Sequence, residues 1–244
     1  MTLVALFSLL CAAGLVRGQQ ENIAFCGNAP YYPSEYTCYG TTLCPRLDGQ
    51  PTLPCGGACY SPDMYQCRDG QLQLLPAADA NSPPFKLEVH SSNPDLNLRQ
   101  AEVCNLQFHV GADAQTCVYC YNAPPQYVCS SYQNKTVLLA SGSMSVDVPG
   151  GQVWFVDPED GRLRTTAGGK GGGSDREHAG EGVTIYQEGY FACDGSSHWL
   201  ACKEPGQGET YSIYAGTVDR TDCERIKLVV VPSTDHKEGA YSYT

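Results

Sequence analysis

Hydrophobic and polar positions fall into three regimes along the chain. Leu3 to Leu15 is one apolar stretch, residues 19–74 are built mainly from Cys, Gly, Pro, Ser, Thr and Tyr, and beyond Pro83 short apolar segments alternate with turn residues. In that last region the segments 85–90, 106–110, 136–140, 144–148, 153–156, 183–186, 211–214 and 226–231 read as strands. Val146, Val148, Val153 and Phe155 flank Pro149-Gly150-Gly151, the pattern of a hairpin. No segment sustains a helical period. The predicted fold class is therefore all-β, a small disulfide-rich N-terminal module plus a β-sandwich or barrel-like C-terminal domain. The first apolar run is shorter than the roughly 18 to 20 residues a membrane span needs. Val16-Arg17-Gly18 places small residues at the minus-three and minus-one positions, so residues 1–18 are expected to be a secretory signal peptide cut before Gln19. No second such run follows, and no membrane partner is expected.

Charge and cysteine content narrow the setting. The formal net charge is −11, and −12 once Arg17 leaves with the signal, which disfavours nucleic acid as a partner. Of 14 cysteines, Cys11 leaves too, and the rest enter an oxidising route where disulfides are the default. Their distribution divides the chain: a cysteine-rich module at 19–74, a proline-bounded linker at 75–83, and a β-rich domain at 84–244.

The module is written twice, 29 positions apart. Cys26/Cys55, Gly27/Gly56, Ala29/Ala58, Tyr31/Tyr60, Pro33/Pro62, Tyr36/Tyr65 and Cys38/Cys67 are identical pairs, the mark of an internal duplication. If the copies share a fold, Cys26 bonds Cys38 and Cys55 bonds Cys67, leaving Cys44 for Cys59. Covalent closure would then stand in for a core that so few aliphatic residues cannot build. Tyr31, Tyr32, Tyr36, Tyr39, Tyr60 and Tyr65 are the candidate carbohydrate-binding residues, because a flat ring with a polar edge stacks on a sugar's C–H face and hydrogen-bonds its hydroxyls. The competing reading makes these rings a miniature core.

The second region offers little chemistry. Asn134-Lys-Thr136 is a glycosylation sequon, and Gly168 to Asp175 reads as a flexible loop without phosphate-binding register. The histidines are scattered without ligand spacing, and Cys117-Val-Tyr-Cys120 lacks a second pair, so neither a metal nor a cofactor is expected. Asp157, Glu159 and Asp160 are acids in a Pro- and Gly-containing turn rather than two carboxylates set roughly 5 to 9.5 Å apart across a sugar. There is no Gly-x-Ser-x-Gly elbow, and no catalytic residue is assigned.

Cys-Gly-x-Ala-x-Tyr-x-Pro-x-x-Tyr-x-Cys from Cys26, with Leu43-Cys44-Pro45 and Asp69-Gly70-Gln71-Leu72, resembles the carbohydrate-binding domain of fungal endo-1,3(4)-beta-glucanases. That resemblance implies a polysaccharide partner, fungal cell-wall beta-1,3-glucan or a related glucan. Pro84-Phe85-Lys-Leu87, Met144 to Gln152, Val156-Asp-Pro158 and Trp199-Leu-Ala-Cys202 look like the domain of secreted fungal surface proteins of the IgE-binding type. This second likeness, over 84–232, implies bonds Cys120–Cys129 and Cys202–Cys223 and leaves Cys104, Cys117 and Cys193 as one bridge and one spare thiol. The expected protein is a secreted, non-enzymatic, cell-wall-associated glucan binder. The alternative is a cell-wall structural protein or host-interacting effector without glucan binding.

Overall fold

A computed structural model describes residues 22–47, 50–62, 65–120, 131–172, 179–186, 189–206, 208–235 and 238–244. The expected signal peptide, Cys129 and residues 173–175 of the glycine loop lie outside them. Every regular element among the described residues is a strand or turn.

Residues 22–75 form antiparallel pairs joined by tight turns. Ala24–Cys26 pairs with Ala29–Tyr31, and Tyr36–Tyr39 with Thr42–Leu47. Leu53–Cys55 with Ala58–Tyr60 and Tyr65–Arg68 with Gln71–Leu74 follow the same order. Gly27 and Gly56 open the first turn of each set at φ 60° and 57°, a conformation that glycine adopts without steric cost. Disulfides join Cys26 to Cys38, Cys55 to Cys67, and Cys44 to Cys59. Between Ile23 and Leu74 the buried apolar residues are Cys26, Cys44 and Cys55 alone among those described. Sulfur bridges thus occupy the interior that aliphatic side chains fill elsewhere. Closing a 15-residue loop such as Cys44–Cys59 removes about 3 kcal/mol of unfolded-chain entropy. Thr52 reinforces that seam, its hydroxyl and amide both donating to the Pro45 carbonyl.

The start of the 75–83 segment is docked. Leu75 is buried with Tyr186 and Ala192, and the Ala78 amide donates to the Ile185 carbonyl at 2.6 Å. A semi-extended spacer is what local composition suggests, but Leu75 and Ala77 follow an edge formed by residues more than a hundred positions away.

The larger region is built on a nine-stranded antiparallel sheet. Its path runs 99–100, 85–90, 223–232, 198–203, 210–215, 107–111, 163–165 and 154–156, with 102–104 paired to 107–111. Phe85–His90 shows why the alternation was legible: Phe85, Leu87 and Val89 are buried while Lys86, Glu88 and His90 are not. Phe191 lies at the centre of the core, its ring centroid 5.2 Å from both Trp154 and Trp199. The segments 136–140 and 144–148 are corrected from strands to single bridges, Leu138 to Phe85 and Met144, and Val146 to Ala240. The hairpin expected across Pro149-Gly150-Gly151 is present in reduced form: Gly151 donates to Val148, Ser143 bridges Val153 antiparallel, and the Met144 and Trp154 amides donate to Gln152 and Gly142, while Trp154–Val156 pairs onward with Leu163–Thr165. Glycine packing explains the turn's shape, because a Cβ at Gly150 would stand 2.8 Å from the Gly169 carbonyl oxygen. For the same reason Gly168 to Gly172 are not a loose loop: Gly169 and Gly171 both donate to the Gly151 carbonyl.

Cys104 bonds Cys117 and Cys202 bonds Cys223. Cys120 is disulfide-bonded, with its partner outside the described residues, and Cys193 is a buried free thiol. Burial and the neighbouring Asp194 carboxylate push that thiol up to about 11.

Candidate carbohydrate site

The first set of strands frames an open groove of about 430 Å³ lined by Ile23, Pro30, Tyr31, Tyr32, Tyr36 and Leu43. Local chain geometry assembles it. Tyr31 ends the second strand, and the amides of Glu35 and Tyr36 both donate to the Tyr32 carbonyl at 3.0 Å, folding Tyr36 back beside the other two rings. Leu43 enters from the neighbouring strand, directly opposite Cys38. Tyr32 and Tyr36 are 42% and 39% exposed, enough ring surface to cover a ligand face, while Tyr31 is half-buried and forms a wall. No lining residue carries a charge, and apolar rings with hydroxyl edges suit neutral hydroxylated rings.

Three of the six candidate tyrosines therefore share one groove, and Tyr39, Tyr60 and Tyr65 do not line it. None of the six is fully buried: Tyr32, Tyr36 and Tyr65 are exposed, and Tyr31, Tyr39 and Tyr60 are half-buried. Advancing the groove residues by 29 positions gives Thr52, Cys59, Tyr60, Ser61, Tyr65 and Leu72. Thr52 is buried and hydrogen-bonded, Cys59 is in a disulfide, and Ser61 has no ring. The second set thus keeps three of the six apolar walls. Tyr65, opposite Leu74, and Leu72 leave an exposed apolar ribbon there in place of the first set's groove. Sequence reasoning missed Ile23, Pro30 and Leu43, since a search for aromatic rings passes over aliphatic walls. The available signal was the unlike pairs in the repeat. It also missed Phe25, 69% exposed on the first strand.

Residues 25–72 match a family model described as carbohydrate binding. A 54-residue stretch is 50% identical to the primary septum glucan endo-1,3-beta-D-glucosidase of Schizosaccharomyces pombe. That match covers 22% of this chain and 5% of the enzyme, so the rest of each protein stands outside it. No solved structure matches the chain. The groove and all three module disulfides fall within or beside the matched segment.

The acidic turn of the larger region is held by arginines. Arg164 pairs with Asp157 and Asp160 at 2.8 and 2.7 Å, and Arg162 with Asp160 and Glu204 at 3.3 Å each. The Asp157 and Asp160 carboxylates also accept the Glu159 and Arg162 amides at 2.9 and 3.0 Å, ordinary turn chemistry. Tyr214 lies beneath the Arg162 and Arg220 guanidiniums at 5.1 and 4.9 Å and donates to Glu204, completing a hydrogen-bonded network across the sheet. Among the described residues no group of three metal-ligating side chains gathers.

Asn134 is half-buried at φ 55°, its amide donating to the Gly239 carbonyl. Thr136 is buried, its hydroxyl accepting from the Val103 amide at 2.9 Å. The sequon's third residue is therefore part of the fold's own hydrogen bonding.

Proposed function

We propose that the chain is a secreted, non-catalytic carbohydrate-binding protein whose first-set groove takes beta-1,3-glucan. The observation that carries this reading is the coincidence of an uncharged, tyrosine-lined groove with the segment that matches the carbohydrate-binding family model. The glucan linkage rests on the 50%-identical segment of an endo-1,3-beta-D-glucosidase. The non-catalytic reading is supported by where that likeness stops and by the engagement of Asp157 and Asp160 with arginines.

Residues 1–18 act as the signal peptide, 19–74 as a duplicated binding module, 75–83 as its connection and 84–244 as an accessory domain, with Asn134 glycosylated. Disulfides along the whole described chain support an oxidising, extracellular or cell-wall location. Retention on insoluble beta-1,3-glucan, compared with chitin and cellulose, tests the reading. Selective retention on the glucan without release of reducing sugar is expected, and no retention on any of the three overturns it.

A further inference from the structure

The larger region carries a second groove, of about 650 Å³, whose walls are fixed from three directions. One wall is the turn Asn105-Leu106, between the paired residues Cys104 and Gln107. Another is the strand Val118–Tyr119, and the third is Ser242–Tyr243, which pairs with that strand. The Cys104–Cys117 disulfide ties the first wall to the second, and the Thr244 amide donates to the Cys117 carbonyl, tying the third. Gly168 closes one side, where a Cβ would stand 2.5 Å from Ser242 Oγ. The groove is thus preformed, and its volume is in the range of small-ligand sites, roughly 300 to 1,000 Å³.

Its chemistry is selective. Asn105 and Leu106 have φ of 54° and 60°, so this is a turn with two left-handed residues, for which Asn-Gly is the favoured pair. Leucine accepts steric strain there and contributes an apolar wall that glycine would not. Tyr119 is 54% exposed, and Tyr241 and the Asn105 amide add further polar edges. In a chain of net charge −11, no side chain lining this groove is charged. Such side chains favour an uncharged ligand with C–H faces and hydroxyl rims.

We infer that this groove is a second glucan subsite, formed by Leu106, Tyr119 and Tyr241 with Asn105 at the rim. The inference rests on the reading that the first groove binds glucan. A polysaccharide long enough to span both grooves would meet the second at raised effective concentration, so that weak local affinity suffices there.

The test follows backbone amide shifts of the full chain during titration with laminarihexaose. A Tyr32→Ala/Tyr36→Ala variant, with its first groove disabled, is expected to show saturable shifts at Leu106, Tyr119 and Ser242. Those shifts are expected to vanish in Tyr119→Ala/Tyr241→Ala and to persist in Tyr119→Phe, which keeps the ring. On insoluble glucan, removing the Tyr119 and Tyr241 rings is expected to weaken retention by about 10-fold or more. Absence of the shifts in both the wild type and the Tyr32/Tyr36 variant overturns the inference. So do shifts that depend on protein concentration without sugar, which would mark a second copy as the occupant. Failure of the first-groove reading is separately visible, as missing shifts at Ile23, Tyr32 and Leu43 in the wild type.

Discussion

Truncating Tyr32 and Tyr36 to alanine perturbs the first groove most directly. A tyrosine side chain presents roughly 200 Å² when fully exposed. At 42% and 39% exposure each ring offers about 80 Å² to a ligand. If a glucan covers half of that, about 40 Å² per ring leaves water, worth about 1 kcal/mol at 25 cal/mol per Å². Each single variant should therefore bind about 5-fold more weakly and the double variant about 30-fold. The three disulfides hold the frame independently of these exposed rings, so stability is expected to change little. Depletion isotherms on insoluble beta-1,3-glucan measure the affinities, and thermal melts confirm the folded state. Tyr36→Phe separates stacking from hydrogen bonding and should retain most of the affinity. A folded double variant with wild-type retention would refute the reasoning. Equal loss from Tyr60→Ala, whose ring lies outside the groove, would refute the assignment to the first set.

Four further outcomes follow from the same geometry. Replacing Cys44 and Cys59 by serine should cost about 3 kcal/mol and expose the join between the two sets to limited proteolysis, because that bond is the one module disulfide that crosses between them. Asn134→Gly should remove a glycan, read as a mobility shift, with little loss of melting temperature, since glycine keeps the left-handed backbone; Thr136→Ala should remove the glycan and also destabilise by about 1 to 3 kcal/mol by orphaning the buried Val103 amide. His109 is held below the usual imidazole range mainly by burial, so the unfolded chain binds its proton first and stability should fall as pH drops below about 6.5; His109→Gln should flatten that slope in denaturant melts across pH 5 to 7. Cys193, buried and pushed up to about 11, should resist thiol reagents at pH 8 in the native protein and react stoichiometrically once unfolded.

How much of this was legible in the sequence depended on whether a segment's environment is local. Phe85–His90 alternates because one face meets the core, and its period of two survives without knowledge of the partner. Cys44 and Cys59 became a candidate pair because the repeat leaves each without a counterpart, and they are bonded in the structure. Segments 136–140 and 144–148 are just as apolar, yet Leu138, Met144 and Val146 meet their partners one residue at a time, so hydrophobic content does not imply a ladder. His198–Lys203, a central strand, is nearly all buried and shows no alternation to detect. Within the site, Tyr31, Tyr32 and Tyr36 were visible as rings. Whether Tyr39, Tyr60 and Tyr65 joined them depended on the turn at Tyr32 and on aliphatic walls that carry no chemical signature. The linker misled for a related reason, since Leu75 is one apolar residue among small ones and its burial comes from Tyr186 and Ala192.

The most direct measurement of the central claim is an amide-shift titration of the full wild-type chain with laminarihexaose, read at the first groove. The account predicts saturable shifts at Ile23, Tyr31, Tyr32, Tyr36 and Leu43, with Thr52 and Ser61 unmoved at the equivalent positions of the second set. Shifts at Thr52 and Ser61 equal to those at Ile23 and Tyr32, or no shifts at either set under saturating sugar, would contradict it.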